Sequence, residues 1–235
     1  RRAPEPMAPL GMFRARHVQA ANLASLMVGI GLIVALITVP LFVNLVLVES
    51  PLDGGLSLLR FTVAVPLGAF AGGWLGTRLG LRGTAALGMG LAAAGFLGLR
   101  GWDRELSEAF RTFPQLAGGF GFGLVIAPLA AAVLQEVDEV HRATVSAWLT
   151  LSRVTGMLVG AAMLTSSGLG RFYARAGTLD FGSPEFGRLV AEAQVVTFRE
   201  VWIAAAALMV AAGIVAWGIG RGDRDAEVEP WWTVT

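Results

Sequence analysis

The side chains that could do chemistry in this sequence are few and scattered. Its two histidines, His17 and His141, have no carboxylate or nucleophile at a matching spacing, so no catalytic constellation forms and the chain reads as no enzyme. There is no cysteine, which removes disulfides, thiol nucleophiles and thiolate metal sites, and two histidines without a third ligand make no metal centre. No Asp or Glu lies in the middle of a long apolar run, so no proton carrier of the chain's own is visible there. Inside those runs the charged residues are Arg60 and Arg153, and the polar ones singled out with them are Asn44, Ser146 and Thr150. A charge at the centre of a bilayer costs about 2.5–3.5 kcal/mol on insertion scales unless it meets water or a partner.

Arg153 follows Arg142 by eleven residues. At helical rise this is about 16 Å into the run, near the middle of a hydrocarbon core about 30 Å thick. Arg60 lies four residues past Leu56, close enough to the edge to snorkel outward. Helical spacing puts Ser146, Thr150 and Arg153 on one face, continued by Met157 and Gly160. That polar stripe is expected to face a substrate cavity or a partner bundle. A structural arginine, bonded to helix-end carbonyls or to Glu136, Asp138 or Glu139, is the competing reading. Asn44, one turn past Pro40, reads as an interhelical hydrogen bond or as a substrate contact. Phe42, Phe120 and Phe122 would supply an aromatic cavity lining. Gly119-Phe120-Gly121-Phe122-Gly123 is no phosphate loop, because it follows no predicted strand and lies within an apolar run.

The elements that must position these residues are membrane helices. The 235 residues are 55% hydrophobic and 15% charged, where a soluble domain carries about 25% charge. The net charge of +1 gives no electrostatic case for nucleic acid. Six apolar runs read as spans, over about 22–48, 56–75, 84–99, 113–134, 143–169 and 201–220. They form a six-span bundle over 20–220, after a cytoplasmic leader (1–19) and before a cytoplasmic tail (221–235). The chain begins Arg1-Arg2 with no initiator Met and no signal peptide ahead of the first run, so it is expected to start mid-protein. Residues 72–83, with Gly80 and Gly83 free to adopt left-handed geometry, join the second and third runs as a helical hairpin. The row Gly68, Gly72, Gly76 is spaced for close helix–helix approach. Residues 100–112 and 170–200 read as external loops, with a helix start at Ser183-Pro184-Glu185. Arg14, Arg16, Arg78 and Arg82 against Glu49 and Asp53 place both termini in the cytoplasm.

Three stretches carry a family resemblance. Gly73-x-Leu75-x-Thr77-Arg78-x-Gly80-x-Arg82 resembles the loop signature between the second and third helices of a major facilitator superfamily repeat, with Thr77 where that family usually has an acid. Pro9-Leu10-Gly11-Met12-Phe13-Arg14-Ala15-Arg16 is similar to the stretch before the C-terminal bundle of the 14-span drug:proton antiporters. His141-Arg142 through Ser152-Arg153-x-x-Gly156-x-x-x-Gly160 is similar to the eleventh-helix region of a 12-span facilitator, or the thirteenth of the 14-span antiporters. The resemblance spans about residues 8–220 and implies an all-α membrane protein, one six-helix half of a two-bundle transporter with a midplane cavity. It further implies proton-coupled efflux of hydrophobic or cationic molecules in a bacterial cell membrane, with no cofactor beyond the proton gradient. The implied partners are the lipid bilayer, a small-molecule substrate and an N-terminal bundle. A transporter of another metabolite class, or a multi-span scaffold or enzyme, would share the same spans.

Overall fold

A computed structural model describes residues 16–102, 106–135, 139–179 and 184–218. Among them there is helix and no strand. The long elements are α1 (Arg16–Leu45), α2 (Pro51–Arg100), α3 (Glu108–Leu134), α4 (Arg142–Met163), α5 (Leu169–Ala176) and α6 (Phe186–Ala216). A 3-10 turn, Glu139–His141, precedes α4, and a π-helical turn, Leu164–Gly168, joins α4 to α5. Five stretches are long and apolar enough to cross a membrane: α1, α2, α3, α6 and the run from Arg142 to Ala176. Together they make a multi-pass helical membrane protein.

α2 is two arms. Gly80 breaks it at φ 79°, ψ 163°, backbone that a Cβ excludes. A Cβ at Gly118 of α3 would lie 3.5 Å from the Phe61 ring and 3.7 Å from Gly95 Cα. Residues on both sides of Gly80 thus reach one level of α3, and the chain reverses there. The expected hairpin forms, with its turn compressed to that one residue; Gly83 stays helical. α3 lies against both arms, and the contacts are made by residues without side chains. A Cβ at Gly72 would meet Leu124 backbone at 2.6 Å, and one at Gly88 would meet the Gly121 carbonyl at 2.8 Å. In lipid, where apolar surface gains little by being buried against protein, such backbone proximity supplies the dispersion energy that holds helices together.

The bundle has two ends, one with Gly80 and one with Glu49. At the Glu49 end the helices run further than polarity predicts. Ser50 caps α2 in a reciprocal box with Asp53, and Pro51 occupies the first helical position, so α2 begins well before Leu56. The expected loop 100–112 shrinks, because α3 starts at Glu108. The expected loop 170–200 is largely helix: α5 reaches Ala176 and α6 starts at Phe186, just after Pro184 and Glu185, while Ser183 lies outside the described residues. The charges that suggested a loop hold the two helices together. Arg171 and Arg175 both pair with Glu200, at 3.3 and 2.5 Å, and Arg175 also donates to Thr197 Oγ1 at 3.0 Å. α1 ends where Glu49 N–H donates to the Val43 carbonyl, with Val48 left-handed at φ 58°.

The core at this end is aromatic. Phe42, Trp102, Phe198 and Trp202 stack at centroid separations of 4.9–6.2 Å. Buried Trp202 satisfies its indole by donating to Thr38 Oγ1 at 3.0 Å.

Candidate functional site

The placement of Arg153 follows from how α4 is fixed on α1. Ser25 Oγ donates to the Leu149 carbonyl at 3.1 Å, and Ser152 Oγ donates to Asn22 Oδ1 at 2.9 Å. Beyond those bonds the helices touch backbone to backbone: Gly29 faces the Arg153 carbonyl, Gly156 faces Leu26 and Gly160 faces Ile30. These contacts set the rotation of α4. Val145, Leu149, Gly156 and Gly160 turn inward, while Leu151 and Leu158 are exposed. The polar stripe lies on the flank between. Ser146, Arg153 and Met157 are half-buried and Thr150 is exposed, so Gly160 belongs to the α1 interface and the other four to the flank.

On that flank Thr150 Oγ1 donates to the Ser146 carbonyl one turn back, at 3.0 Å. Arg153 makes no ion pair among the described residues, and its buried Nε has no hydrogen-bond partner there. Glu136 and Asp138, two of the carboxylates that a structural role would use, lie outside the described residues. The helix that carries the stripe, Arg142 to Ala176, is the least covered of the apolar stretches. A guanidinium here has donors to spare and an open flank beside it, which suits a polar cargo group, water or a facing bundle.

The other predicted residues separate from this flank. Arg60 pairs with Glu108 in the first turn of α3, at the Glu49 end, so it is neutralised by a partner in the same bundle. Beside it Arg111 pairs with Glu49 at 2.6 Å, and a cavity of about 60 Å³ lies between the two pairs, with Gln115 and Trp102 in its wall. Sequence reading assigned Glu108 and Arg111 to a loop and overlooked Gln115, which is 1% exposed. Phe42 is 1% exposed and packs within the aromatic core. Phe120 is half-buried, and its carbonyl packs on Gly68. Asn44 lies against Gly54, and its Oδ1 is buried with no hydrogen-bond partner among the described residues. In the loop signature Gly73 is exposed with open space around it, Arg78 stacks over Trp74 at 4.1 Å, Gly80 makes the turn and Arg82 continues the helix.

No family profile matches the chain. It is similar to the triacylglyceride transporter of Mycolicibacterium smegmatis, 36% identical over 248 aligned positions that cover 94% of this chain and 44% of that protein. The triacylglyceride transporter of Mycobacteroides abscessus is 38% identical over 176 positions, 71% of this chain and 34% of its own length. That of Mycobacterium tuberculosis is 35% identical over 187 positions, 75% of this chain and 36% of its own length. The chain spans less than half the length of each of these relatives. It is thus a multi-pass helical membrane protein whose homologues are bacterial proteins named as triacylglyceride transporters.

Proposed function

We propose that the chain forms one bundle of a major facilitator type secondary transporter in a bacterial cell membrane, exporting hydrophobic lipid-like cargo by alternating access. The observation that carries this reading is similarity over 94% of the chain to a protein named as a transporter. The relative's greater length accommodates a second bundle, and the open flank of α4, with Arg153, Thr150 and Ser146, is where the two would enclose the cargo. A neutral acylglycerol suits this bundle better than a cationic drug. The relatives carry that name, and no carboxylate lies deep in an apolar run to pair with a cation. Proton coupling follows the resemblance to drug:proton antiporters, with the titrating acids supplied by the second bundle.

The reading fixes an orientation. Arg78, Arg82 and Arg142 cluster at the Gly80 end and mark it as cytoplasmic, with both termini inside. Because the chain has no cysteine, single cysteines can be introduced without background. A cysteine at Gly177 is expected to react with an impermeant thiol reagent in intact cells, and one at Leu79 only after permeabilisation. The reverse pattern would overturn the orientation.

A further inference from the structure

Away from the α4 flank, a cleft of about 300 Å³ opens between α1, the π-helical turn with α5, and α6. Its walls are hydrocarbon: Leu41, Leu45, Leu164, Leu169, Phe172 and Val201. Gln194 and three threonines also line it, and each threonine hydroxyl is turned back into protein. Thr38 donates to the Val34 carbonyl at 2.7 Å, Thr165 to that of Ala161 at 3.0 Å and Thr197 to that of Ala193 at 2.8 Å. The cleft therefore presents methyl groups where its sequence shows alcohols, and it offers a polar solute little in return for desolvation. A cavity of ~150 Å³ with such a lining stays dry and takes up benzene, so one of this size accommodates on the order of ten carbons. It follows α1 from Ile37 to Leu45, about 12 Å at helical rise, the shape of a slot.

Charge stands at the rim on the α5–α6 side. Arg175 reaches the lining residue Thr197, and Arg171 and Arg175 share the single carboxylate of Glu200. Among the described residues, two guanidiniums on one carboxylate leave a positive charge unmatched, and Arg171 keeps 62% of its side-chain surface exposed. A widened π turn forms one wall; such turns recur at functional sites. Leu41, Leu45 and Leu169, each 41–48% exposed, open the slot laterally to the bilayer.

We propose that this cleft is a binding site for an anionic phospholipid, one acyl chain lying in the slot and the phosphate at Arg171 and Arg175. The site is separate from the cargo flank and does not depend on the chain being a transporter. Native mass spectrometry of the full chain in detergent, with phosphatidylglycerol or phosphatidylcholine added at equal concentration, tests it. Wild type is expected to retain one phosphatidylglycerol in preference to phosphatidylcholine. Leu41→Trp and Thr165→Trp, which fill the slot, each weaken that retention about tenfold, the loss that follows from displacing two or so methylenes. Arg171→Gln removes the preference while an acyl lipid is still held. Leu41 is part-exposed and tolerates replacement, so the test survives if Thr165→Trp does not fold. Equal retention of the two lipids by wild type would overturn the proposal. So would slot variants that hold lipid as well as Leu151→Trp on the exposed face of α4, since that would show annular lipid only.

Discussion

Replacing Gly156 by alanine is expected to destabilise the bundle by about 3 kcal/mol, while the same exchange at Gly73 leaves it as stable or more so. A methyl group at Gly156 would run into the Leu26 carbonyl oxygen and lie 3.1 Å from Leu26 Cα. These are backbone atoms, with no flexible side chain to swing aside, so α1 and α4 must separate by on the order of 1 Å. That separation also loosens Gly29 against Arg153, Gly160 against Ile30, and the hydrogen bonds of Ser25 and Ser152. Nothing in lipid restores what the contact loses, because hydrocarbon replaces protein at equal apolarity. At Gly73 nothing stands within 4 Å, and alanine is the better helix former by up to about 1 kcal/mol. Thermal unfolding in detergent reads both variants. A melting temperature of Gly156→Ala equal to wild type would refute the backbone contact between α1 and α4.

The second large effect is functional and carries the opposite sign for stability. Arg153→Ala is expected to lower cargo export by more than about tenfold at equal membrane expression, the scale of one lost charge-assisted contact. It should not lower the melting temperature. Removing a half-buried cation that makes no ion pair among the described residues relieves a desolvation cost and breaks no pair. Arg60→Ala is the contrast. Its pair with Glu108 is largely exposed, with 31% and 69% of the side-chain surfaces accessible, and such a pair contributes about 0–1 kcal/mol. Export by Arg60→Ala should stay within about twofold of wild type, because that arginine lies away from the α4 flank. Export unchanged in Arg153→Ala would remove Arg153 from the cargo path. Loss of export together with loss of folded protein would make it a structural residue.

The periodic features of this fold are legible in the sequence, and the paired ones are not. Glycine and arginine around Gly80 signal a tight turn between two apolar runs, and one residue with φ 79° makes it. Three-and-four spacing places Ser146, Thr150, Arg153 and Met157 on a common flank of α4. Charge, by contrast, is a poor guide to helix ends where it is satisfied across helices. Arg175 meets Glu200 from 25 residues away, Arg60 meets Glu108 from 48 and Arg111 meets Glu49 from 62. No local pattern announces such partners, so segments that fold as helix resemble loops. Hydrophobicity likewise marks Phe42 for burial, in core or cavity alike, and its ring contacts with Trp102 and Trp202 have no local signal in the sequence. The π turn at Leu164–Gly168 has no distinctive sequence; Thr165 and Ser166 donate to carbonyls one turn back as they would in an ordinary helix.

Whether the polar flank of α4 faces a cargo cavity is decided by the water accessibility of Thr150. If the chain works as proposed, a single cysteine at Thr150, in the protein reconstituted into vesicles with its partner bundle, is expected to react with a water-soluble maleimide and to be slowed when an acylglycerol is loaded. A cysteine at Leu151 sits at the same depth but about 100° further round the helix, toward lipid, and is expected to stay unreactive. Reaction at Thr150 no faster than at Leu151, or untouched by the acylglycerol, would contradict the account.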